Sequence, residues 1–322
     1  MSFNVPKSDK KRVVIVGGGF GGLQVANRLK HSDFQVVLID RNNYHQFPPL
    51  IYQIASAGLE PSSISFPFRK IYQRRKNFYF RMATVRSIFP EQKILQTSIG
   101  KISYDYLIFA AGTTTNFFGN KDVEEEAIPM KNVSEAMGLR NALLENFERA
   151  ITCASEQERQ ELLNVVIVGG GATGVEVAGA LAEMKNYILP KDYPDMDSSL
   201  MQIYLIEAGN RLLAAMNPKN SSHAEQYLRE MGVNVMLNKM VTGYENHRVQ
   251  LKDGSSIATR TFIWVSGVAA QPIGNLGNEF LGRGRRIKVD EYNRVIGLDG
   301  VFAIGDQCIM TADAEYPNGH PQ

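Results

Sequence analysis

The chain contains very little cysteine. Its 322 residues include only Cys153 and Cys308, which lie far apart in the sequence. Two isolated cysteines exclude a disulfide framework and a CxxC motif for metal or redox chemistry. The sequence therefore predicts a protein of a reducing, cytoplasmic setting, with chemistry that does not depend on paired thiols.

Strong net charge and long apolar runs are also missing. Lys and Arg (35) nearly balance Asp and Glu (33), giving a net charge of +2, so nothing favours a nucleic-acid partner. No run approaches the roughly 18 apolar residues that a membrane-spanning helix needs. What the chain does have is 44% hydrophobic residues, enough for two hydrophobic cores, and we expect two domains.

A glycine-rich turn follows the first apolar run. The stretch VVIVGGGFGGL begins at Val13 and carries Gly17, Gly19 and Gly22 in GxGxxG spacing, and Asp40 ends the next apolar run. In such a turn the first glycine permits the sharp bend, the second lets a pyrophosphate approach the backbone, and the third lets helix and strand pack closely. The acid accepts hydrogen bonds from a ribose. This order of strand, turn, helix and acid predicts a dinucleotide-binding βαβ unit.

The same pattern recurs later in the chain. The stretch VVIVGGGATGV supplies Gly169, Gly171 and Gly174, and the next apolar run leads to Glu207 after a polar insertion at 189–200. An acid at this position repels a 2′-phosphate and accepts a hydrogen bond from a free 2′-hydroxyl. The second unit is therefore predicted to bind NADH rather than NADPH.

Two dinucleotide units in one chain suit a permanently bound flavin and a transient nicotinamide. Hydride passes directly between such cofactors, and the protein supplies binding and orientation. We assign the first loop to FAD and the second to NADH. The predicted fold class is α/β, with two Rossmann-like dinucleotide-binding domains and the NADH domain inserted into the FAD domain. The expected boundaries are 11–118 for the first part of the FAD domain, 119–163 for a helical connector, 164–275 for the NADH domain and 276–322 for the return segment of the FAD domain.

Longer motifs narrow the family. DYLIFAAGT and VFAIGD are typical of the two-dinucleotide-binding-domain flavoproteins, and NYHQFPPLIYQIASAGLEPSSI, GGGATGVEVAGALAE and WVSGVAAQP are more specific. From Lys11 onward the chain resembles the type II NADH dehydrogenases, which are non-proton-pumping NADH:quinone oxidoreductases of the respiratory chain. The resemblance implies FAD-dependent oxidation of NADH with transfer of two electrons to a membrane quinone.

The resemblance also implies roles for individual residues. Asp306 is expected to lie at the ribityl and pyrophosphate region of FAD, and Glu176 is expected to contact the nicotinamide carboxamide close to the flavin. A different interpretation of Glu176 is an acid placed near a helix N-terminus by the helix dipole. The remaining residues expected at the flavin are Val85, through backbone contacts with the adenine, and the turn of Ala111, Gly112 and Thr113.

Partners and location are expectations from the same resemblance. They are a quinone (menaquinone or ubiquinone), no nucleic acid, and a peripheral place on the cytoplasmic side of the cell membrane; a homodimer is left open. Family members usually continue past the Gly-Asp motif into amphipathic helices that attach to the membrane, whereas this sequence stops at Gln322. We therefore expect a C-terminally truncated chain that is itself soluble and lacks the attaching segment.

Two other functions remain open from the sequence. One is a soluble FAD-dependent NAD(P)H reductase of a ferredoxin or another acceptor. The second is an NADH-binding interaction module without turnover, which would hold no flavin. Flavin content and the preferred electron acceptor distinguish these functions from quinone reduction.

A basic segment and a lone histidine lead to two further predictions. Residues 64–76, which carry five basic side chains, are predicted to form a helix. His45 is a lone histidine in a proline-rich segment, where either a structural role or proton transfer to a quinone is compatible with the sequence.

Overall fold

The computed structural model describes residues 3–310. Its strands, in chain order, are β1 (Arg12–Val16), β2 (Gln35–Asp40), β3 (Tyr44–Gln46), β4 (Ser65–Pro67), β5 (Phe78–Met82), β6 (Val85–Phe89), β7 (Ile94–Thr97), β8 (Gly100–Ser103), β9 (Tyr106–Phe109), β10 (Thr113–Thr115), β11 (Ile128–Pro129), β12 (Asn164–Val168), β13 (Gln202–Ile206), β14 (Val233–Met236), β15 (Val241–Glu245), β16 (Arg248–Leu251), β17 (Ser256–Ala258), β18 (Thr261–Trp264), β19 (Val268–Ala270), β20 (Ile287–Val289), β21 (Val301–Ala303) and β22 (Cys308–Met310). The α-helices are α1 (Phe20–Arg28), α2 (Ile51–Ala55), α3 (Phe68–Ile71), α4 (Lys121–Glu126), α5 (Val133–Thr152), α6 (Glu156–Leu163), α7 (Ala172–Glu183), α8 (Leu189–Asp192) and α9 (Pro218–Glu230), with a π-helical turn at Met184–Ile188.

The chain divides into two compact units. The first comprises the described residues of Met1–Gln46, Ser65–Thr114 and Val268–Gln322, and the second comprises Phe47–Ile64 and Thr115–Gly267. Within residues 3–310, none of the helices combines the length and apolar character that crossing a bilayer requires.

A parallel sheet forms the centre of the first unit. Its strand order is β21-β9-β1-β2-β5, and Val13 pairs with Val36 of β2 and with Tyr106 of β9. Successive side chains of a strand point to opposite faces. Accordingly, Val14 belongs to one buried cluster and Val13 to another. Burial on both faces explains why these strands are continuous apolar runs in the sequence.

The second unit repeats this architecture. Its parallel sheet has the order β11-β18-β12-β13-β14, and β12 lies at the centre as β1 does in the first unit. In both sheets the glycine motif directly follows the central strand and opens a helix, α1 or α7. The predicted α/β class with two Rossmann-like units is confirmed.

The two units also carry antiparallel strands. In the first unit these include β6-β7-β8 and the pair β3-β4, and in the second they include β15-β16-β17. Residues 47–64 cluster with the second unit, where α2 packs against α5 and α7. The expected boundaries had placed this segment with the first domain.

Two local predictions differ from the structure. The predicted helix over 64–76 is wrong for most of its length, because β4 pairs with β3 and only Phe68–Ile71 is helical. The expected helical connector contains α4, α5 and α6, but it also contains β11, which pairs with β18 in the second sheet.

Candidate functional site

The three glycines of the first loop occupy different environments. Gly17 has φ = +101°, and a Cβ built on it would lie 2.3 Å from the carbonyl oxygen of Ala110. A Cβ on Gly22 would lie 1.9 Å from the carbonyl oxygen of Gly17, whereas Gly19 has no atom within 4 Å of its Cβ position. Two glycines therefore serve the packing of the turn, and Gly19 leaves its backbone open to a ligand.

The second loop shows the same division. Gly169 has φ = +118°, and its Cβ would lie 2.8 Å from the backbone nitrogen of Ser266. A Cβ on Gly174 would lie 1.9 Å from the Gly169 carbonyl oxygen, and Gly171 has nothing within 4 Å. An open glycine at the start of a helix, where free N–H groups point outward, fits a dinucleotide pyrophosphate in both units.

Each predicted acid is hydrogen-bonded to its glycine loop. In the first unit, Asp40 Oδ2 accepts from the N–H of Gly18 at 2.6 Å, and Oδ1 accepts from the N–H of Asn42 at 2.8 Å. In the second, Glu207 accepts from Gly170 and Gly209, each at 2.6 Å. Because a carboxylate oxygen has two lone pairs, these bonds leave acceptor sites for a ribose hydroxyl. The sequence alone did not indicate the bonds to the loop.

Burial opposes the charge on Asp40. Desolvation raises the pKa of this carboxyl above its ordinary 3.8, while the N–H groups of Asn42 and Gly18 and the nearby Arg41 and His45 act in the opposite direction. The carboxyl is therefore easier to protonate in the fold than in water, and folding stability falls as pH rises from 3.8 through the raised pKa.

His45 lies against the first glycine loop. Its Nδ1 is 2.8 Å from the carbonyl oxygen of Gly18, and its ring meets that of Phe20 edge-on at 5.7 Å between centroids. Because a carbonyl only accepts, Nδ1 carries the hydrogen in this contact. The geometry gives His45 a local partner in the loop.

The turn expected near the flavin follows β9. Ala111 donates its N–H to Gln307 Oε1 at 2.6 Å, Gly112 has φ = +65°, and Thr113 is buried. The preceding residue, Ala110, is the one that Gly17 approaches. The turn of 111–113 therefore lies beside the first glycine loop, as the assignment of both to one cofactor requires.

The Gly-Asp motif forms a short 3₁₀ turn, Gly305–Gln307, after β21. Gly305 has φ = +66°, and Asp306 is exposed with its backbone oxygen accepting from Arg286 Nε at 3.0 Å. The sequence motifs did not single out Gln307, which is fully buried. The signal that could have found it is a polar side chain next to the motif in an otherwise apolar run, VFAIGDQCIM.

Val85 begins β6 and pairs with Thr97 of β7. Two residues earlier, Ala83 donates its N–H to the carbonyl oxygen of Asp40 at 2.8 Å. This bond brings the start of β6 to the end of β2. The structure thus places the residue expected at the adenine close to the acid expected at the ribose.

Glu176 lies on α7, beyond its first turn, and is exposed. Among the described residues, no hydrogen bond or ion pair of its carboxyl is present. Partial desolvation raises the pKa of Glu176 above its ordinary 4.5. Glu176 thus lies outside the first turn of α7, to which the favourable interaction of an acid with the helix dipole is largely confined.

Other reactive groups are sparse. Cys153 and Cys308 both carry thiols, the first half-buried and the second buried. Within residues 3–310, no group of three or more His, Cys, Asp or Glu side chains is arranged to hold a metal ion.

Comparison with known proteins identifies the family. Residues 11–319 match the pyridine nucleotide-disulphide oxidoreductase family. The type II NADH:quinone oxidoreductase NdhA of Mycobacterium tuberculosis is 35% identical, with 92% of this chain and 66% of the relative covered. The type II NADH:quinone oxidoreductase of Haemophilus influenzae is 33% identical, with 92% and 73% covered. The chain thus spans about two thirds of the length of these curated relatives.

A solved structure supports the same assignment. The structure of NDH2 from Plasmodium falciparum in complex with NADH superposes with a TM-score of 0.87 at 27% identity, covering 96% of this chain and 67% of that one. These matches confirm the resemblance stated from the sequence. They also confirm the predicted cofactors, FAD and NADH, which are those of the family. The chain belongs to the pyridine nucleotide-disulphide oxidoreductase family and, within it, to the type II NADH:quinone oxidoreductases.

Proposed function

We propose that this chain belongs to an enzyme that oxidises NADH through FAD and passes two electrons to a quinone without pumping protons. The observation that carries the proposal is the repeated loop geometry: each unit pairs two tightly packed glycines with one open glycine and an acid that holds the loop. Two such loops suit two dinucleotides, and two dinucleotides suit hydride transfer between cofactors. The similarity to type II NADH:quinone oxidoreductases favours a quinone as the acceptor.

The first unit is proposed to hold FAD. The open backbone at Gly19 and the helix N-terminus of α1 suit its pyrophosphate, and Asp40 suits its ribose. When bound, FAD supplies the redox chemistry, while the protein binds and orients it. The full set of residues proposed to contact FAD is Gly17, Gly19, Gly22, Asp40, Val85, Ala111, Gly112, Thr113 and Asp306.

The second unit is proposed to hold NADH. Gly169, Gly171 and Gly174 are assigned to its pyrophosphate, and Glu207 to its 2′-hydroxyl. Arg211, the nearest cation along the chain that could attract a 2′-phosphate, donates Nη2 to the carbonyl oxygen of Ala214 at 2.6 Å. Because this single bond leaves the charge and the other N–H donors of Arg211 in place, the proposed preference for NADH rests on the carboxylate of Glu207.

Glu176 is proposed as the residue that meets the reacting end of the nucleotide. Its carboxyl is exposed and makes no hydrogen bond or ion pair among the described residues. A carboxyl in this state can accept a hydrogen bond from the nicotinamide carboxamide, and no side chain needs to act as a nucleophile for hydride transfer. We assign it a role in orientation.

We also assign each range of the chain to a cofactor and name the partners of the protein. The ranges 11–118 and 276–322 are assigned to FAD, 119–163 to a connector and 164–275 to NADH. The quinone, menaquinone or ubiquinone, is proposed to be reached at the cytoplasmic side of the cell membrane, where the protein is proposed to attach peripherally. A homodimer stays an open prediction of the same resemblance.

Anaerobic titration of the FAD-loaded protein with NADH tests the function. We expect NADH to bleach the visible absorbance of the flavin and NADPH to do so less readily. Glu207→Arg should weaken the response to NADH about tenfold or more, because it removes the acceptor for Gly170 and Gly209 and the ribose partner. Glu245→Arg, an equal charge change at an exposed residue of the second unit, is the matched control.

The outcomes separate the alternatives. Bleaching followed by oxidation by a soluble quinone supports the proposal. Bleaching with turnover of a ferredoxin but not of a quinone would favour the soluble reductase. A protein that binds NADH but takes up no FAD would favour the interaction module, and bound flavin that NADH fails to reduce would contradict the role of the second loop.

A further inference from the structure

Gln307 is a polar side chain placed inside the first unit. It directly follows Asp306, and the two neighbours lie in opposite environments: Asp306 is exposed, whereas Gln307 is 0% exposed. Burying an amide without hydrogen-bond partners costs free energy. The contacts of Gln307 therefore show what keeps a polar residue at this position.

Two hydrogen bonds join Gln307 to two other segments of the unit, and a third joins those two segments to each other. The N–H of Ala111 donates to Gln307 Oε1 at 2.6 Å, and Gln307 Nε2 donates to the carbonyl oxygen of Gln271 at 3.4 Å. The N–H of Gln271 in turn donates to the carbonyl oxygen of Gly112 at 3.2 Å. Because Ala111 and Gly112 are consecutive, the bonds close a ring. One amide acts as donor and acceptor at once, which neither an aliphatic side chain nor a carboxylate can do.

The ring fixes the turn against which the first glycine loop packs. Ala110, at the start of this turn, donates its N–H to the carbonyl oxygen of Val16 at 2.7 Å, and its own carbonyl oxygen lies where a Cβ on Gly17 would come within 2.3 Å. Ile304, which directly precedes the Gly-Asp motif, lies 3.0 Å from the Cβ position of Gly21 on α1. Movement of the turn relative to the Gly-Asp motif would disturb the packing of Ala110 on Gly17 and that of Ile304 on Gly21.

We propose that Gln307 is a positioning residue of the flavin site. Its amide holds the turn of 111–113 and the Gly305–Gln307 segment in one arrangement, so that the turn and the Asp306 carboxylate are presented together to FAD. The inference rests on the proposed function, in that the first unit is the one assigned to FAD. It assigns Gln307 no contact with the substrate.

Two substitutions separate positioning from packing. Gln307→Leu keeps a side chain of similar size but removes both hydrogen bonds of the amide. Gln307→Glu keeps the shape, and only its protonated carboxyl can donate to Gln271 and accept from Ala111. The matched control is Gln35→Leu, which removes a second buried amide of the same unit, bonded to the carbonyl oxygen of Pro6 and to Arg12 Nε.

The measurements are the dissociation constant of FAD, the visible circular dichroism of the bound flavin, and thermal unfolding without FAD. For Gln307→Leu we expect FAD to bind about tenfold more weakly, and the dichroism to change, since the half-buried N–H of Ala111 and carbonyl of Gln271 lose their partner and no longer hold the turn. For Gln307→Glu we expect affinity to recover toward the wild-type value as pH is lowered. Gln35→Leu should unfold at a lower temperature with FAD affinity and dichroism unchanged.

Clear results would overturn the proposal. If Gln307→Leu and Gln35→Leu lower the unfolding temperature alike and neither changes the affinity or dichroism of FAD, Gln307 is a packing residue only. If Gln307→Leu does not fold, a Gln307→Glu protein with wild-type FAD affinity at every pH leads to the same conclusion. Failure of the wild-type chain to bind FAD would instead contradict the proposed function.

Discussion

At the scale of single residues, the glycines of one motif have separable tasks. Gly22 is required by packing, since a Cβ there would lie 1.9 Å from a backbone oxygen, whereas Gly19 lies in open space with φ −68° and ψ −166°, a conformation that alanine also adopts. A substitution at Gly22 should therefore destabilise the fold, whereas a substitution at Gly19 should weaken FAD binding alone.

Alanine substitutions test this separation. Gly22→Ala should lower the free energy of unfolding by about 3 kcal/mol or more, because the clash is with backbone and cannot be relieved by a rotamer change. Gly19→Ala should change the free energy of unfolding by less than about 0.5 kcal/mol while weakening FAD binding about tenfold. Denaturant unfolding and FAD titration give the two quantities. Gly138→Ala, at another open glycine, is the control for FAD binding, and equal FAD affinities for Gly19→Ala and wild type would contradict the assignment.

The motif residues could be predicted because their spacing along one chain segment is enough to define the turn. Asp40 and Glu207 were identified in the same way, as acids that end a strand. Their bonds to Gly18 and Gly170, and the ring through Gln307, could not be predicted, because they join residues that only the tertiary fold brings together. A polar residue in an apolar run marks such a contact without naming its partner.

At the scale of elements, local pattern and tertiary pairing compete. Residues 64–76 have helical composition, but Ser65–Pro67 forms β4 against β3, and Arg74 takes φ = +68°. Hydrogen bonds to a strand distant in sequence override the propensity of a short segment. No residue of Val133–Thr152 is drawn into a strand, and the helical periodicity of this segment was sufficient to predict helix α5.

The start of α5 offers a test of local stabilisation. The Asn132 side chain accepts from the N–H of Glu135 at 3.0 Å, and Glu135 accepts from the N–H of Lys131 at 2.6 Å. Asn132→Ala should lower the free energy of unfolding by about 1 kcal/mol, since a capping acceptor is lost. Asn141→Ala, on the exposed side of the same helix, should leave stability unchanged or raise it slightly. Denaturant unfolding measures both, and equal effects of the two substitutions would rule out a specific contribution of the cap.

At the scale of the whole molecule, the doubling of the motif was sufficient to predict two units. The allocation of residues 47–64 was not, because this segment directly follows β3 of the first unit and only its packing on α5 and α7 assigns it to the second. Chain order is a good guide to boundaries where a unit is continuous, and a poor one where a unit is assembled from several segments.

Each cofactor should protect its own unit from hydrogen exchange. A ligand stabilises the structure that binds it, so FAD alone should slow amide exchange at 17–22 and 111–113, and NADH alone should slow it at 169–174. Exchange measured by mass spectrometry on the protein with neither, either or both ligands resolves these peptides. Slowing of exchange at 17–22 by NADH in the absence of FAD would contradict the assignment of the loops.

The division of each unit into separate segments has a consequence during synthesis. The second unit is complete once residue 267 has left the ribosome, since its segments are 47–64 and 115–267. The first unit must wait for β21, an edge strand of its central sheet, and for Gln307, even though its glycine loop is made first. Domains generally fold as units as the chain emerges. The nascent chain therefore carries a finished second unit while the first unit, begun earlier, is still open and must be kept from pairing its exposed strands with other chains.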